Sequence, residues 1–506
     1  MGLLSCTGKM ISAGFAVGNA MNRGVGNLID SLKVKRAQRR LSSNRTALAS
    51  GYLLAGDQAG TDSDGLMDYR GIDLPERIAG GLMSGVVPLG RLRNPRTRVV
   101  QNARLPWEVL NTHAAIIAPP GSGKTYGIIV PWILGFVKSG GRVIANDVKG
   151  DLLTDILKAK EELGIKGFSI TTWNPMDEKR SCRWNPLSEV HDDITRTQLV
   201  TAVLGDPAEY KGSDPFFIER DHRWLRGLIK YALGVCPHAT FYDIYMLLSS
   251  YDNVRDAVDA SPGLCVDFAD MADYSPGEYS LAISSLLNKL EWFTSKSACR
   301  VTKTSDFTLA DITEKPGLLL IGSRLSDEDR AKAAAAMMFA LLKSTYASRF
   351  SASNHLPNAW IIDEAAVIAK RIALDMTLSQ VRSYGVGIAM ALQDVTQLGN
   401  EDEQNRYLSN CKTLITLRNV SDATARYFSK RLGDHMVRKA TSSLDQRGRP
   451  LPQESTERVP VLGTSEIMHP PLDFGTYCGI VHTPTLGLFC SPVVDTSKPY
   501  IVDFSR

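Results

Sequence analysis

Lys124 and Thr125 end the run Ala118-Pro119-Pro120-Gly121-Ser122-Gly123-Lys124-Thr125. A lysine and a hydroxyl residue placed after a glycine-rich turn suit the phosphates of a nucleoside triphosphate. Backbone N–H groups of such a loop, and of the helix that follows, converge on phosphate oxygens. Lys124 then reaches the β- and γ-phosphates, and the Thr125 hydroxyl holds a Mg²⁺ ion. All eight residues from Ala118 to Thr125 are candidate nucleotide-binding positions. One departs from the G-x-x-x-x-G-K-[ST] pattern: Ala118 stands at its first glycine, where Ala is the smallest alternative. The competing reading is a glycine-rich turn with a surface lysine.

Such a loop needs acidic partners. Asn358-Ala-Trp-Ile-Ile-Asp363-Glu364 supplies them: an apolar run buries a strand, and two carboxylates emerge at its C-terminal end. Ligands sit at that end in open α/β sheets. One carboxylate, Asp363, is assigned to the Mg²⁺ shell, and Glu364 to the attacking water. Gln393 ends the apolar run 386–392 and suits sensing of the γ-phosphate or orienting of the water; its alternative is a plain polar residue at a helix start. Arg382 lies nineteen residues beyond Asp363, at the end of the intervening helix. From there it can face the next subunit of a ring and stabilise transition-state charge in trans. Its alternative is an intramolecular salt bridge. Asp147 and Lys149, after the next strand, are assigned a supporting role by position.

These residues must be carried by strands and helices in alternation. Ala114–Ala118 reads as a buried strand, followed by a helix over 124–138, bent or stopped near Pro131. Strand 142–147, helix 152–163 and strand 168–172 come next. Strand signals then vanish, and helical periodicity covers 194–205, 217–234, 241–250, 252–260 and 279–293. Strand 317–322 resumes the first pattern. Helix 326–350 is opened by Ser326, with Asp327, Glu328 and Asp329 in its first turn. Strand 360–363, helix 371–384, strands 386–392 and 412–417 and helix 421–433 follow. Residues 434–458 read as a polar loop, and two short strands, 476–482 and 486–490, come last. Trp173-Asn-Pro175 and Trp184-Asn-Pro-Leu187 read as structural strand exits with X-Pro turns. The fold class is α/β: a P-loop domain with a mostly parallel sheet covered on both faces, and an inserted all-α domain. The expected division is an arm and linker over 1–85, a nucleotide-binding domain over 86–187 and 300–506, and the all-α insertion over 188–299.

Composition narrows the class further. The chain has 506 residues, 43% of them hydrophobic, and a net charge of +4, which neither announces nor excludes a nucleic-acid partner. None of its eight cysteines forms a C-x-x-C pair, which points to reduced thiols and away from zinc. No stretch offers about 18 consecutive apolar residues. The start lacks a signal-peptide pattern, and Cys6 breaks the myristoylation pattern. Within residues 10–45 a loose amphipathic pattern runs into Lys33, Lys35, Arg36, Arg39, Arg40 and Arg45. It reads as a solvated arm, or as a docking helix for a partner or an anionic membrane surface. Arg91, Arg93, Arg96 and Arg98 read as a solvated face, or as a contact with DNA or a partner.

Together these motifs resemble the type IV secretion coupling proteins, the TraG/TraD-type conjugation ATPases. The resemblance rests on Ala118–Thr125 and on Asp147-Val-Lys-Gly-Asp151. It rests also on Asn174-Pro175 with Arg183-Trp-Asn-Pro-Leu187 ahead of the helical stretch, and on Ile361-Ile-Asp-Glu364 with Arg382-Ser-Tyr-Gly385 and Gln393 to Leu398. Arg458-Val-Pro-Val-Leu462 adds a little. It implies a RecA-like motor with an all-α insertion, a homo-hexamer, and ATP and Mg²⁺ as cofactors. Single-stranded DNA with its relaxase or relaxosome, and components of the type IV secretion channel, are the implied partners. Family members commonly begin with transmembrane helices. None is read here, which implies a soluble variant in the bacterial cytoplasm, held at the inner membrane's cytoplasmic face by a separate anchor protein or by the 10–45 arm. An acidic C-terminal tail used by some members is also missing. The alternatives are a double-stranded DNA ring translocase of the chromosome-segregation type, disfavoured by the helical insertion, and a mainly non-enzymatic receptor for secretion substrates.

Overall fold

The computed structural model describes residues 87–492 except 94–99, 163–164, 166, 208–214, 323–327, 350–356, 445–449, 471–477 and 484–486, together with the two-residue strands 53–54, 60–61 and 67–68. Most of the expected N-terminal arm and linker, its basic run, Arg96, Arg98, the side chains of Arg91 and Arg93, and the Ser326–Asp327 helix opening lie outside the described residues.

In chain order the longer strands are β1 (Val87–Arg93), β2 (Val100–Leu105), β3 (Ala114–Ile117), β4 (Arg142–Asp147), β5 (Ile170–Trp173), β6 (Gly317–Gly322), β7 (Asn358–Ile362), β8 (Val386–Leu392), β9 (Thr413–Leu417), β10 (Asp434–Leu444), β11 (Pro450–Pro460), β12 (Cys478–Thr483) and β13 (Gly487–Pro492). Between β5 and β6 the described residues hold helices and turns and no strand.

Two compact units share the chain. The first comprises Gly140–Thr154 and Gly167–Val386. Its strands run in the order β7-β4-β6-β5, all parallel. β4 and β7 are buried along their whole length, as continuous apolar runs require when helices cover both faces. β6 is interrupted at its last residue only, where Gly322 lies against Asn174: a Cβ there would sit 2.8 Å from the Asn174 side-chain nitrogen. The two Trp-Asn-Pro exits pack into one core. Trp173 and Trp184 are fully buried and meet edge to face at 4.9 Å. Asn174 Oδ1 accepts from Met176 N–H and Asn185 Oδ1 from Leu187 N–H, so each amide closes its own turn.

The helices of this unit include Asp193–Leu204, Pro215–Val235, Phe241–Leu248, Tyr251–Ala260 and Pro276–Leu290. Their starts are written in side chains. Thr240 with Asp243, and Ser275 with Glu278, form reciprocal capping boxes, while Asp192 accepts from Thr195 N–H. Helix Pro215–Val235 buries Trp224, Leu225, Leu228 and Ile229 as one stripe.

The second unit contains Phe15–Ser139, Asp155–Lys166 and Gly387–Arg506. Here β8, β3 and β9 are parallel neighbours in that order. β12 and β13 then add antiparallel, and Leu53–Leu54 pairs with β13. β1 and β2 form a separate ribbon, anchored where Trp132 Nε1 donates to the Pro88 carbonyl at 2.7 Å.

Gly387 is a second close approach. A Cβ on it would stand 2.7 Å from the Leu110 carbonyl oxygen, which is backbone and cannot turn aside. Gly387→Ala is therefore expected to lower stability by about 1–3 kcal/mol. Gly277→Ala, in a helix where nothing lies within 4 Å, should instead raise it by up to about 1 kcal/mol. Thermal unfolding of both variants checks this pair. Equal shifts would show that the strand of Gly387 has room to give.

Two expectations need correction. Most of the expected polar loop 434–458 is strand: β10 and β11 pair antiparallel without a break from Asp434↔Pro460 to Leu444↔Pro450. A two-stranded ribbon leaves an unpaired edge on each strand, so Pro450, Pro452 and Pro460 remove no needed donor. The helix expected over 371–384 spans Leu374–Val381, after Ala373 in the left-handed region (φ 46°), and passes into a 3₁₀ turn at Arg382–Tyr384. Gly385, at φ 72°, ends it.

Candidate active site

The phosphate loop lies in the second unit. β3 is fully buried and leads to Ala118, whose N–H donates to the Leu392 carbonyl at 2.9 Å. That bond carries the β3–β8 pairing one residue past the strand and brings the loop entry beside Gln393. Gly121 (φ 74°) and Gly123 (φ 88°) are both left-handed, a backbone that residues with a Cβ rarely adopt. They turn the chain so that Lys124 opens a helix (φ −49°, ψ −51°) with its side chain buried.

The helix begins wide. Thr125–Ile129 form a π turn in which Val130 N–H bonds the Thr125 carbonyl, and Val130–Lys138 continue as an α-helix. Pro131 has no N–H with which to close an α-turn on Gly127, so the sequence predicts a break here. The structure resolves it by widening the preceding turn, a device found at functional sites.

Gln393 follows β8. Its N–H donates to Gln397 Oε1 (2.8 Å), while Asp394 caps the 3₁₀ turn Val395–Leu398 and accepts from the Thr424 hydroxyl (3.0 Å). The turn after β8 is thereby built from its own side chains.

The acidic pair lies in the first unit. Asp363 and Glu364 follow β7 directly and are 7% and 8% exposed. Glu364 stands at φ 51°, ψ 47°, left-handed although it is not glycine, and its N–H donates to Asp363 Oδ1 at 3.0 Å. Such strain at a carboxylate marks a position that the surroundings hold in place. Asn146, at the end of β4, bonds both polar backbone groups of Asp363. The sequence does not single this residue out; its one signal is a polar side chain directly after the apolar run Val143-Ile144-Ala145.

Asp147 turns its carboxylate onto the loop that follows. Oδ1 accepts from Gly150 N–H (2.7 Å) and Oδ2 from Leu152 N–H (3.1 Å), at the start of helix Leu152–Glu162. Burial pushes its carboxyl up to about 6, against backbone donors that favour the anion. Lys149 is exposed on the same turn. Arg382 is exposed at the first residue of its 3₁₀ turn, and among the described residues no carboxylate pairs with it.

Comparison with known proteins gives this geometry a family. The model of the family Type IV secretory system Conjugative DNA transfer matches residues 90–469. The conjugal transfer protein TraG of Escherichia coli is 22% identical over 364 residues, which cover 65% of this chain and 56% of TraG. VirD4 of Rhizobium radiobacter is 22% identical over 350 residues, covering 66% of this chain and 50% of VirD4. The chain thus spans about half the length of these curated relatives. Among solved structures, plasmid coupling protein TrwB in complex with the non-hydrolysable ATP analogue ADPNP matches with a TM-score of 0.59 at 18% identity, over 77% of this chain and 87% of that one. TrwB in complex with ADP and Mg²⁺ matches at 0.57 and 17% identity, over the same shares. The fold is the expected one: α/β, RecA-like, mostly parallel, with an all-α insertion. A family match over three quarters of the sequence closes the question of kinship: the chain belongs to the type IV secretory system conjugative DNA transfer family.

Proposed function

We propose that this chain is a coupling protein of type IV secretion: an ATP-hydrolysing motor, assembled as a hexameric ring, that recruits relaxase-bound single-stranded DNA or protein substrates and delivers them to the secretion channel. One observation carries the reading. A chain of this family holds both a glycine-shaped phosphate loop and a buried strand that ends in a strained Asp363-Glu364 pair.

The residues present fit a bound nucleotide. Two left-handed glycines flank Ser122, and the buried Ser122 Oγ has no hydrogen-bond partner among the described residues. Loop N–H groups and Lys124 would hold the phosphates, and Thr125 and Asp363 would hold Mg²⁺. When bound, that ion neutralises charge developing on the phosphates. Glu364 takes the proton of the attacking water, and Gln393, beside the loop entry, orients that water or registers the γ-phosphate. Arg382 of one subunit serves the site of the next. Asp147 and Lys149 act indirectly, Asp147 by fixing the turn after β4. Residues 86–187 and 300–506 form the motor domain and 188–299 its insertion; the run of helices between β5 and β6 supports this division.

No helix of the described residues is long and apolar enough to cross a membrane. On this reading the motor works at the cytoplasmic face of the bacterial inner membrane, which it reaches through partner proteins.

Titrating ATP turnover with single-stranded and duplex DNA, beside a mass measurement of the assembly, tests the reading. Stimulation by single strands and a six-chain mass are expected. Stimulation by duplex alone would favour a double-strand translocase. Relaxase binding with no DNA response would favour a receptor.

A further inference from the structure

We infer that Asn146 is the positioning residue of the hydrolytic carboxylate, an inference that rests on the ATP-hydrolysing reading above. β4 and β7 pair in parallel through Ile361↔Ala145. Beyond that pair, β7 ends at Ile362 and the chain turns. Asn146 is 4% exposed at this point. Its Nδ2 donates to the Asp363 carbonyl at 2.8 Å, and its Oδ1 accepts from the Asp363 N–H at 2.7 Å. One side-chain amide thus does for Asp363 what a neighbouring strand's backbone does for a ladder residue. Both polar groups of the Asp363 backbone are held, which fixes its two soft torsions.

The consequence falls on the next residue. Glu364 leaves this clamp in the left-handed region, which a side chain with a Cβ disfavours. Without an anchor on Asp363, the backbone can relax toward negative φ and swing the Glu364 carboxylate away. The Asp363 Oδ1 bond to Glu364 N–H holds the same turn from the other side. A core amide that only satisfied itself would have no reason to place both bonds on this one residue. The chemistry is also narrow. A carboxylate at position 146 would set a lone pair against the Asp363 carbonyl, and an alkyl group would remove both bonds.

Asn146 itself touches neither nucleotide nor water in this account, so its effect should appear in turnover and not in binding. The test uses the full chain with Asn146→Asp, which keeps the shape, and Asn146→Ala. Three quantities are read: kcat for ATP, the Kd of the analogue ADPNP, and the unfolding midpoint. The expected result is a kcat about 100-fold lower in both variants, as for a displaced reacting group, with the ADPNP Kd unchanged. Unchanged kcat in either folded variant overturns the inference. So do kcat and ADPNP affinity that fall together with the unfolding midpoint, and so does an Asn146→Asp chain that fails to fold, since each makes Asn146 a merely structural residue. A wild-type chain that neither binds ADPNP nor turns over ATP overturns the nucleotide reading itself.

Discussion

Glu364→Gln is expected to yield a chain that still binds ATP but hydrolyses it about 10²–10⁴-fold more slowly, the range a general base contributes. Gln keeps the length and shape of Glu and can accept the left-handed backbone on the same terms (φ 51°). It lacks only the basic oxygen. Lys124→Ala should behave differently, because the buried lysine at the helix start is assigned to the phosphates and not to the water. That variant should lose affinity as well as turnover. Equilibrium binding of ADPNP with single-turnover hydrolysis of ATP separates the two. Wild-type turnover in Glu364→Gln would remove Glu364 from the chemistry.

The second large effect concerns Arg382. Arg382→Ala is expected to slow hydrolysis about 10³–10⁵-fold, the contribution of an arginine that reaches a transferring phosphoryl group from outside its own site. The side chain is exposed and has no ion-pair partner among the described residues. A guanidinium held by an intramolecular carboxylate would give no such effect. Mixing Arg382→Ala chains with Glu364→Gln chains should restore part of the activity, since each then supplies what the other lacks at a shared interface. Verified mixed rings with no recovery would confine Arg382 to its own subunit.

What the sequence made legible follows from burial. β6 and β8 are legible to the residue because each is an unbroken run of apolar residues and glycine, β6 with Gly317 and Gly322 at its ends and β8 between Gly385 and Gln393. The phosphate loop was legible because its glycines are needed for their backbone angles, and the Asp363-Glu364 pair because charge ending such a run is rare. The β10–β11 ribbon was not. Its strands are polar and carry prolines, and what specifies them is an eleven-pair main-chain ladder, which leaves no periodic mark in side-chain type. Asn146 was missed for a related reason. Its bonds run to backbone, and backbone has no sequence.

The left-handed Glu364 has one more consequence. On the proposed reading, folding and turnover ask for different residues at that position. Glycine would relieve the torsion, and asparagine would bear it more easily than glutamate. A library of variants sorted only for a well-folded chain would drift toward those two, and one sorted for DNA transfer would return to glutamate. Position 364 would then serve as a gauge of which pressure a lineage has been under: a member of the family with Gly or Asn there is expected to keep the scaffold and to have lost ATP turnover.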